Sequence, residues 1–424
     1  MLHKSLQSRQ HGECGGRADH ETIRHLHRTN GRGLFGLLDR LHHLHDPGGL
    51  FIDRYGPRVA LAVMGIGTAL FCAFTGMVGW GIIAASGIWV SLLIVRSLMG
   101  FLTTPLHPAS ARAAASWFPT GQRALANGLI TGAALLAYAV VHPLFGALID
   151  RVDWPNAFVI AGGSTLLVTL IWFAYATDRP GQYRPNGSSS GKSPDRNRGG
   201  TDIRKSNTGE RKGARTGFVL GPLLRDHNLI LLTLSYAAVG YFQYLFFYWM
   251  HYYFDEVMGM GRTESRFYAG LPNLAMALCM PFGGWLTDRA QRGFGDALGR
   301  TLVPRIGMTA SACLLLFGIF ARHPLWIVFW FTLSLGILGL CEGSFWTTAV
   351  ELGGSRGGTA AAVMNTGGNG IGLLAPMVTP WVSAKLGWAW GISLGALVGL
   401  AGAVCWFWID PRERNDQNTS DQIA

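Results

Sequence analysis

The 424-residue chain is 49% hydrophobic but only 14% charged, where soluble domains carry roughly 25% charged residues. Its net charge of +11 suggests nucleic-acid binding at first sight. The basic residues lie between long apolar runs, however, which excludes that class and points to a membrane protein with positive loops on one side.

Residues 1–47 contain eight of the 13 histidines and no apolar run long enough to cross a bilayer. They end in "LHHLHDPGG" (41–49). A His-rich metal tract is the literal reading. The other is a shift of reading frame. Moving the codons of Leu41–Asp46 by one nucleotide allows Tyr-Thr-Ile-Phe-Met-Ile, an apolar helix end. On that reading residues 1 to about 47 are out of frame, and a poorly ordered N-terminus is expected.

From residue 59 onward there are ten runs of about 20 apolar residues, the length needed to span a bilayer. They cover 59–80, 86–106, 124–148, 157–176, 228–252, 267–286, 302–321, 325–348, 359–383 and 388–409. Together they predict an all-α integral membrane protein. Residues 48–176 form a first, incomplete bundle and 227–410 a second. Residues 177–226, rich in Gly, Ser, Arg and Lys, read as a basic linker, and 411–424 as a tail. Arg and Lys concentrate in alternate loops that include the linker and the tail, so these are expected to be cytoplasmic. "GGLFIDR" (48–54) recurs as "GGWLTDR" (283–289), one copy in each bundle, as in transporters built from structural repeats.

Six scattered cysteines without CxxC spacing predict small core residues rather than disulfides or zinc ligands. No GxGxxG, GxSxG, HExxH or Walker A sequence is present. Neither an enzyme nor a cofactor is therefore expected, and no metal site is assigned.

The loop "GGLFIDRYGPR" and its second copy resemble the pattern between helices two and three, and eight and nine, of the major facilitator superfamily. That family has two helices before the first copy, so the resemblance implies that the first two of twelve spanning helices are missing from this chain. "RSLMGFLTTPLHPASARAAASWFPTGQRALANG" (96–128) and "NTGGNGIGLLAP" (365–376) resemble its anion:cation symporter branch, which includes sialin-like and sugar-acid transporters. The resemblance implies a gate at Gly49, Asp53, Arg54 and Arg58 with Gly284, Asp288 and Arg289 in the second copy. It also implies that Arg96 binds the substrate carboxylate, whose geometry a guanidinium fork matches. Thr103 stands where the family has a glutamate implicated in proton coupling, and a threonine cannot titrate. Asn369 matches a cavity asparagine, with Asn365 beside it.

From the residues themselves, Glu342 is the only carboxylate deep in an apolar run, which makes it a candidate proton carrier or else a partner for a neighbouring polar group. Tyr241, Tyr244 and Tyr248 fall on one helical face and are either substrate contacts or packing; Tyr244 is taken as a substrate contact. His107 and His142 read as packed histidines. His251 replaces a family proline, so the kink there is expected to differ. The function expected is secondary transport of a small carboxylate with H+ or Na+ by a monomer in the lipid bilayer. The alternative is a receptor-like relative that does not transport.

Overall fold

The computed structural model describes residues 48–80, 85–178, 223 and 225–411. The readings made for residues 1–47, for most of the linker and for the tail lie outside the described residues, as does the side chain of His142. The helical residues 48–55 lead into α1 (Pro57–Val78), followed by α2 (Ala85–Thr103), α3 (Leu106–Trp117), α4 (Arg123–Val152) and α5 (Trp154–Tyr175). The second half comprises α6 (His227–Tyr252), α7 (Arg262–Phe320), α8 (Pro324–Gly339), α9 (Glu342–Gly353), α10 (Gly357–Gly372), α11 (Ala375–Leu386) and α12 (Trp388–Cys405).

Among the described residues, seven continuous helical stretches are long and apolar enough to cross a membrane. Two of these, Arg262–Phe320 with 59 residues and Pro324–Leu386 with 63, would each measure about 90 Å if straight, three times the bilayer core. Each therefore doubles back. In α7 the reversal falls at Gly295, whose φ of 80° an L side chain rarely adopts. The second stretch turns at Gly354–Arg356. With α4, uncharged from Ala124 to Ile149, the described residues make ten spans, in the places the apolar runs predicted.

Three of these spans are broken once. α2 stops at Thr104–Pro105 before α3, α8 at Leu340–Cys341 before α9, and α10 at Leu373–Leu374 before α11. Pro105, Pro108 and Pro376 account for two of the breaks, because proline removes a backbone donor and clashes with the preceding turn. α6 ends differently. With His251 where the family has proline, it runs unbroken to Tyr252 and closes in one π turn, Tyr253–Val257.

The halves are packed by different means. α1 and α5 meet through small residues: a Cβ on Gly65 would strike Thr169, and one on Gly162 would lie 2.7 Å from the Ala69 carbonyl oxygen. Close approach through glycine is how membrane helices gain contact without a hydrophobic drive between them. In the second half a continuous core joins Phe242, Phe246, Phe331, Phe345 and Trp406.

Candidate functional site

The three helix breaks surround a cavity of about 450 Å³ at the seam between the halves, a volume suited to a small organic molecule. The first half contributes His107 from α3 with Thr131 and Tyr138 from α4. The second contributes Tyr236, Gln243, Tyr244 and Tyr248 from α6, Met280 from α7, Glu342 and Trp346 from α9, and Asn365 and Asn369 from α10. A larger cleft of about 810 Å³ lies between the arms of α7 and α8, lined by exposed Phe294 and Ile306. Among the described residues, its only polar side chains are Arg289 and Arg292, and it lies within the second half rather than on the seam. The smaller cavity, with hydroxyl, amide, imidazole and carboxyl groups from both halves, is therefore the better binding site.

Glycine brings its polar wall together. A Cβ on Gly240 would strike the Gly368 carbonyl, so α6 and α10 cross almost backbone to backbone. The Tyr244 hydroxyl then donates to Asn369 Oδ1 at 2.8 Å, and Asn369 Nδ2 donates to both oxygens of Asn365, its backbone carbonyl and Oδ1, at 2.9 Å. Deeper in the wall, Glu342 is only 3% exposed. Its Oε2 accepts from Trp346 Nε1 at 3.2 Å and from the Tyr236 hydroxyl at 3.4 Å. It also begins α9, where the helix dipole favours negative charge. The other face of the Trp346 environment is His107, whose ring stacks on the indole with centroids 5.5 Å apart.

One end of the seam is closed by two matching caps. Asp53 accepts from the backbone N–H groups of Gly358 and Thr359, both at 2.8 Å, and from the Thr359 hydroxyl at 2.6 Å. Asp288 accepts from the N–H groups of Ala124 and Leu125 at 3.1 and 2.9 Å. Each carboxylate thus serves the second and third residues of a helix in the opposite half, satisfying donors that a helix start leaves open. The glycines expected beside them explain the approach. A Cβ on Gly49 would sit 2.6 Å from Thr359 Cα, and one on Gly284 would collide with the Ala124 carbonyl. Ion pairs reinforce this end. Arg112 reaches Asp53 at 3.9 Å and donates to the Gly354 carbonyl at 2.8 Å. Glu351 pairs with Arg123 across the seam at 3.1 Å and with Arg300 in its own half.

The structure separates the expected site residues into groups. Tyr244, Asn365, Asn369 and Glu342 meet at the cavity. Gly49, Asp53, Gly284 and Asp288 meet at the capped end. Arg54, Arg58 and Arg289 do not cross the seam: Arg54 packs beside Tyr55, Arg58 donates to the Phe173 carbonyl in its own half, and Arg289 is exposed at the outer cleft. Arg96 and Thr103 do not line the cavity. Arg96 lies in a separate cleft with Trp89 and Phe158, its guanidinium 4.8 Å from the Phe158 ring centroid. Thr103 bonds locally to the Gly100 carbonyl at 2.9 Å. The reason is the stripe they occupy: seven residues apart, they share one face of α2, and the described cavity is built from other faces. Tyr241 turns away to Thr379, at 3.2 Å. Tyr236, Gln243 and the Arg112–Arg123–Glu351–Arg300 cluster were not anticipated. Only Tyr236 carried a signal, eight residues before Tyr244 on the same face.

Residues 47–376 match the family described as the Major Facilitator Superfamily. The chain is 25% identical to the probable sulfoacetate transporter of Cupriavidus necator over 86% of its own length and 81% of that protein's. It is 26% identical to the D-galactonate transporter of Escherichia coli, covering 84% and 81%, and 25% identical to the probable galactarate/D-glucarate transporter of Bacillus subtilis, covering 83% and 76%. Among solved structures, the proton:xylose symporter XylE bound to 6-bromo-6-deoxy-D-glucose superposes with a TM-score of 0.64 at 13% identity, over 91% of this chain and 87% of that one. The outward conformation of the transporter FucP gives 0.61 at 14%, over 89% and 90%. With its two bundles, its repeated Gly-Gly-x-x-x-Asp-Arg loops and its cavity at the seam, the chain belongs to the Major Facilitator Superfamily of membrane transporters, not to an enzyme family.

Proposed function

We propose that this protein is a secondary transporter of a small organic anion, a sugar acid or related carboxylate or sulfonate, driven by protons through alternating access. The observation that carries this reading is a polar cavity on the seam, closed at one end by caps that each cross it. Rocking the halves apart would break both caps together and open the cavity at that end, which we assign to the cytoplasm with the C-terminus. The relatives named for sulfoacetate, D-galactonate and galactarate/D-glucarate support the anion class.

Tyr244, Asn365 and Asn369 offer the hydroxyl and amide groups that orient an oxygen-rich substrate. Glu342 is the coupling carboxyl, linked to the cavity wall through Trp346 and Tyr236. Arg96 and Thr103 touch the anion in this reading only if it enters the cleft beside α2.

The test is uptake of radiolabelled D-galactonate by proteoliposomes holding the full chain. Accumulation driven by an alkaline interior, with no requirement for Na+, supports the reading. Glu342→Gln should keep substrate exchange and lose accumulation. Binding without uptake would establish the receptor-like alternative instead, and dependence on a Na+ gradient would replace the proton.

A further inference from the structure

An anion in a low-dielectric cavity needs a compensating charge, because an unpaired buried charge is strongly unfavourable. Among the described residues lining the cavity, His107 alone can become cationic near neutral pH. The arginine singled out in the sequence lies in another cleft. We propose that His107 is the anion-binding cation of this transporter and takes up a proton as the anion binds. This rests on the anion-transport reading above.

The geometry suits the role. His107 sits at the start of α3, immediately after the break at Thr104–Pro105, and faces the cavity from the first half. The nearly parallel stack on Trp346, with an interplanar angle of 29°, holds the ring flat against the far wall. No hydrogen bond from the described residues occupies either ring nitrogen, which leaves a donor or acceptor for a ligand in the cavity that the residue lines. The ionisable groups that share the cavity with it are Tyr138 from α4, Tyr236, Tyr244 and Tyr248 from α6, and Glu342 from α9. α10 contributes only uncharged side chains, and α1 contributes none to the cavity. Tyrosine cannot supply positive charge and Glu342 can only add negative charge.

The step balances simply. Bulk water supplies one proton to an imidazole nitrogen, the imidazolium binds one carboxylate or sulfonate oxygen, and proton and anion leave together on the other side. Glu342 and His107 divide the work through the shared indole: Trp346 bonds one and stacks on the other. His107 balances charge in the loaded state, while Glu342 drives the return of the carrier.

Calorimetric titration of the purified full chain with D-galactonate, in buffers of different ionisation enthalpy between about pH 5 and 8, counts the protons taken up. Wild type should take up about one proton per anion near neutral pH. His107→Gln should bind roughly tenfold or more weakly, having lost a charge-assisted bond, and take up none. Glu342→Gln should still take up the proton. His107→Arg, permanently charged, should bind without proton uptake. Wild-type binding with no proton uptake overturns the inference and needs no variant. So does proton uptake that survives in His107→Gln or vanishes only in Glu342→Gln. If wild type binds none of D-galactonate, glucarate and sulfoacetate, the anion reading itself falls and takes this inference with it.

Discussion

Removing the Asp53 carboxylate should unlock one end of the transporter. Asp53 receives three hydrogen bonds from the start of α10, and two of them satisfy backbone donors that the helix cannot satisfy itself. Loss of an N-cap costs about 0.5–2 kcal/mol, and hydrogen bonds to a charged group are worth about 1.5–3 kcal/mol net. Water replaces part of this when the halves separate, so about 2 kcal/mol is a reasonable net loss for the closed state, or roughly 30-fold in its equilibrium with the open one. Asp288 caps a different helix in the same way, so Asp53→Ala with Asp288→Ala should add to about 4 kcal/mol, on the order of 10³-fold. A reporter exists at the seam. Thr347 is 3% exposed and accepts from Asn127 Nδ2 across the halves at 3.0 Å. In a background with the six native cysteines replaced, Thr347→Cys should react with N-ethylmaleimide roughly 30-fold faster once Asp53 becomes alanine. A rate within about threefold of the parent would show that the cap does not hold the seam, and the reasoning would fail.

Glu351→Gln leaves Arg300, itself 4% exposed, and Arg123 without their carboxylate. Breaking a buried pair by removing one partner costs about 3–5 kcal/mol, so the midpoint of thermal unfolding in detergent should fall sharply; an unchanged midpoint would refute the pairing. Tyr244→Phe deletes the donor to Asn369 while keeping the ring, and should weaken D-galactonate binding about two- to tenfold, equivalent to about 0.5–1.5 kcal/mol. Arg96→Ala should leave the D-galactonate Kd within about threefold, because the guanidinium packs on Phe158 outside the cavity. A much larger loss would place the cleft beside α2 in the path of the anion.

Much of the architecture was legible in sequence because membrane physics leaves few choices. A chain in hydrocarbon must satisfy its backbone within helices, so predominantly apolar runs of the right length named the ten spans directly. The repeated loops named Asp53 and Asp288, since their spacing from the preceding glycines was the same in both copies. What they bond to was not legible. Gly358 and Ala124 each lie far along the chain from their caps, in the opposite half, and no local pattern marks a helix start as the receiver of a distant carboxylate. The cavity was read in part. Tyr244, Asn365 and Asn369 stood out as polar groups in apolar runs, whereas His107 looked like one more packed histidine.

Arg96 illustrates the boundary between the two kinds of information. Sequence alone determined that an arginine lies within an apolar helix, that a carboxylate, Glu342, lies within another, and that two related bundles surround whatever they serve. Only the tertiary structure decided which faces converge. Rotation of a helix about its axis is set by packing against neighbours, and the Gly240–Gly368 crossing and the breaks before His107 and Glu342 set it here. Those contacts turn Tyr244, His107 and Glu342 into one cavity and leave Arg96 in another cleft, because a side chain's place depends on neighbours that its own helix does not encode.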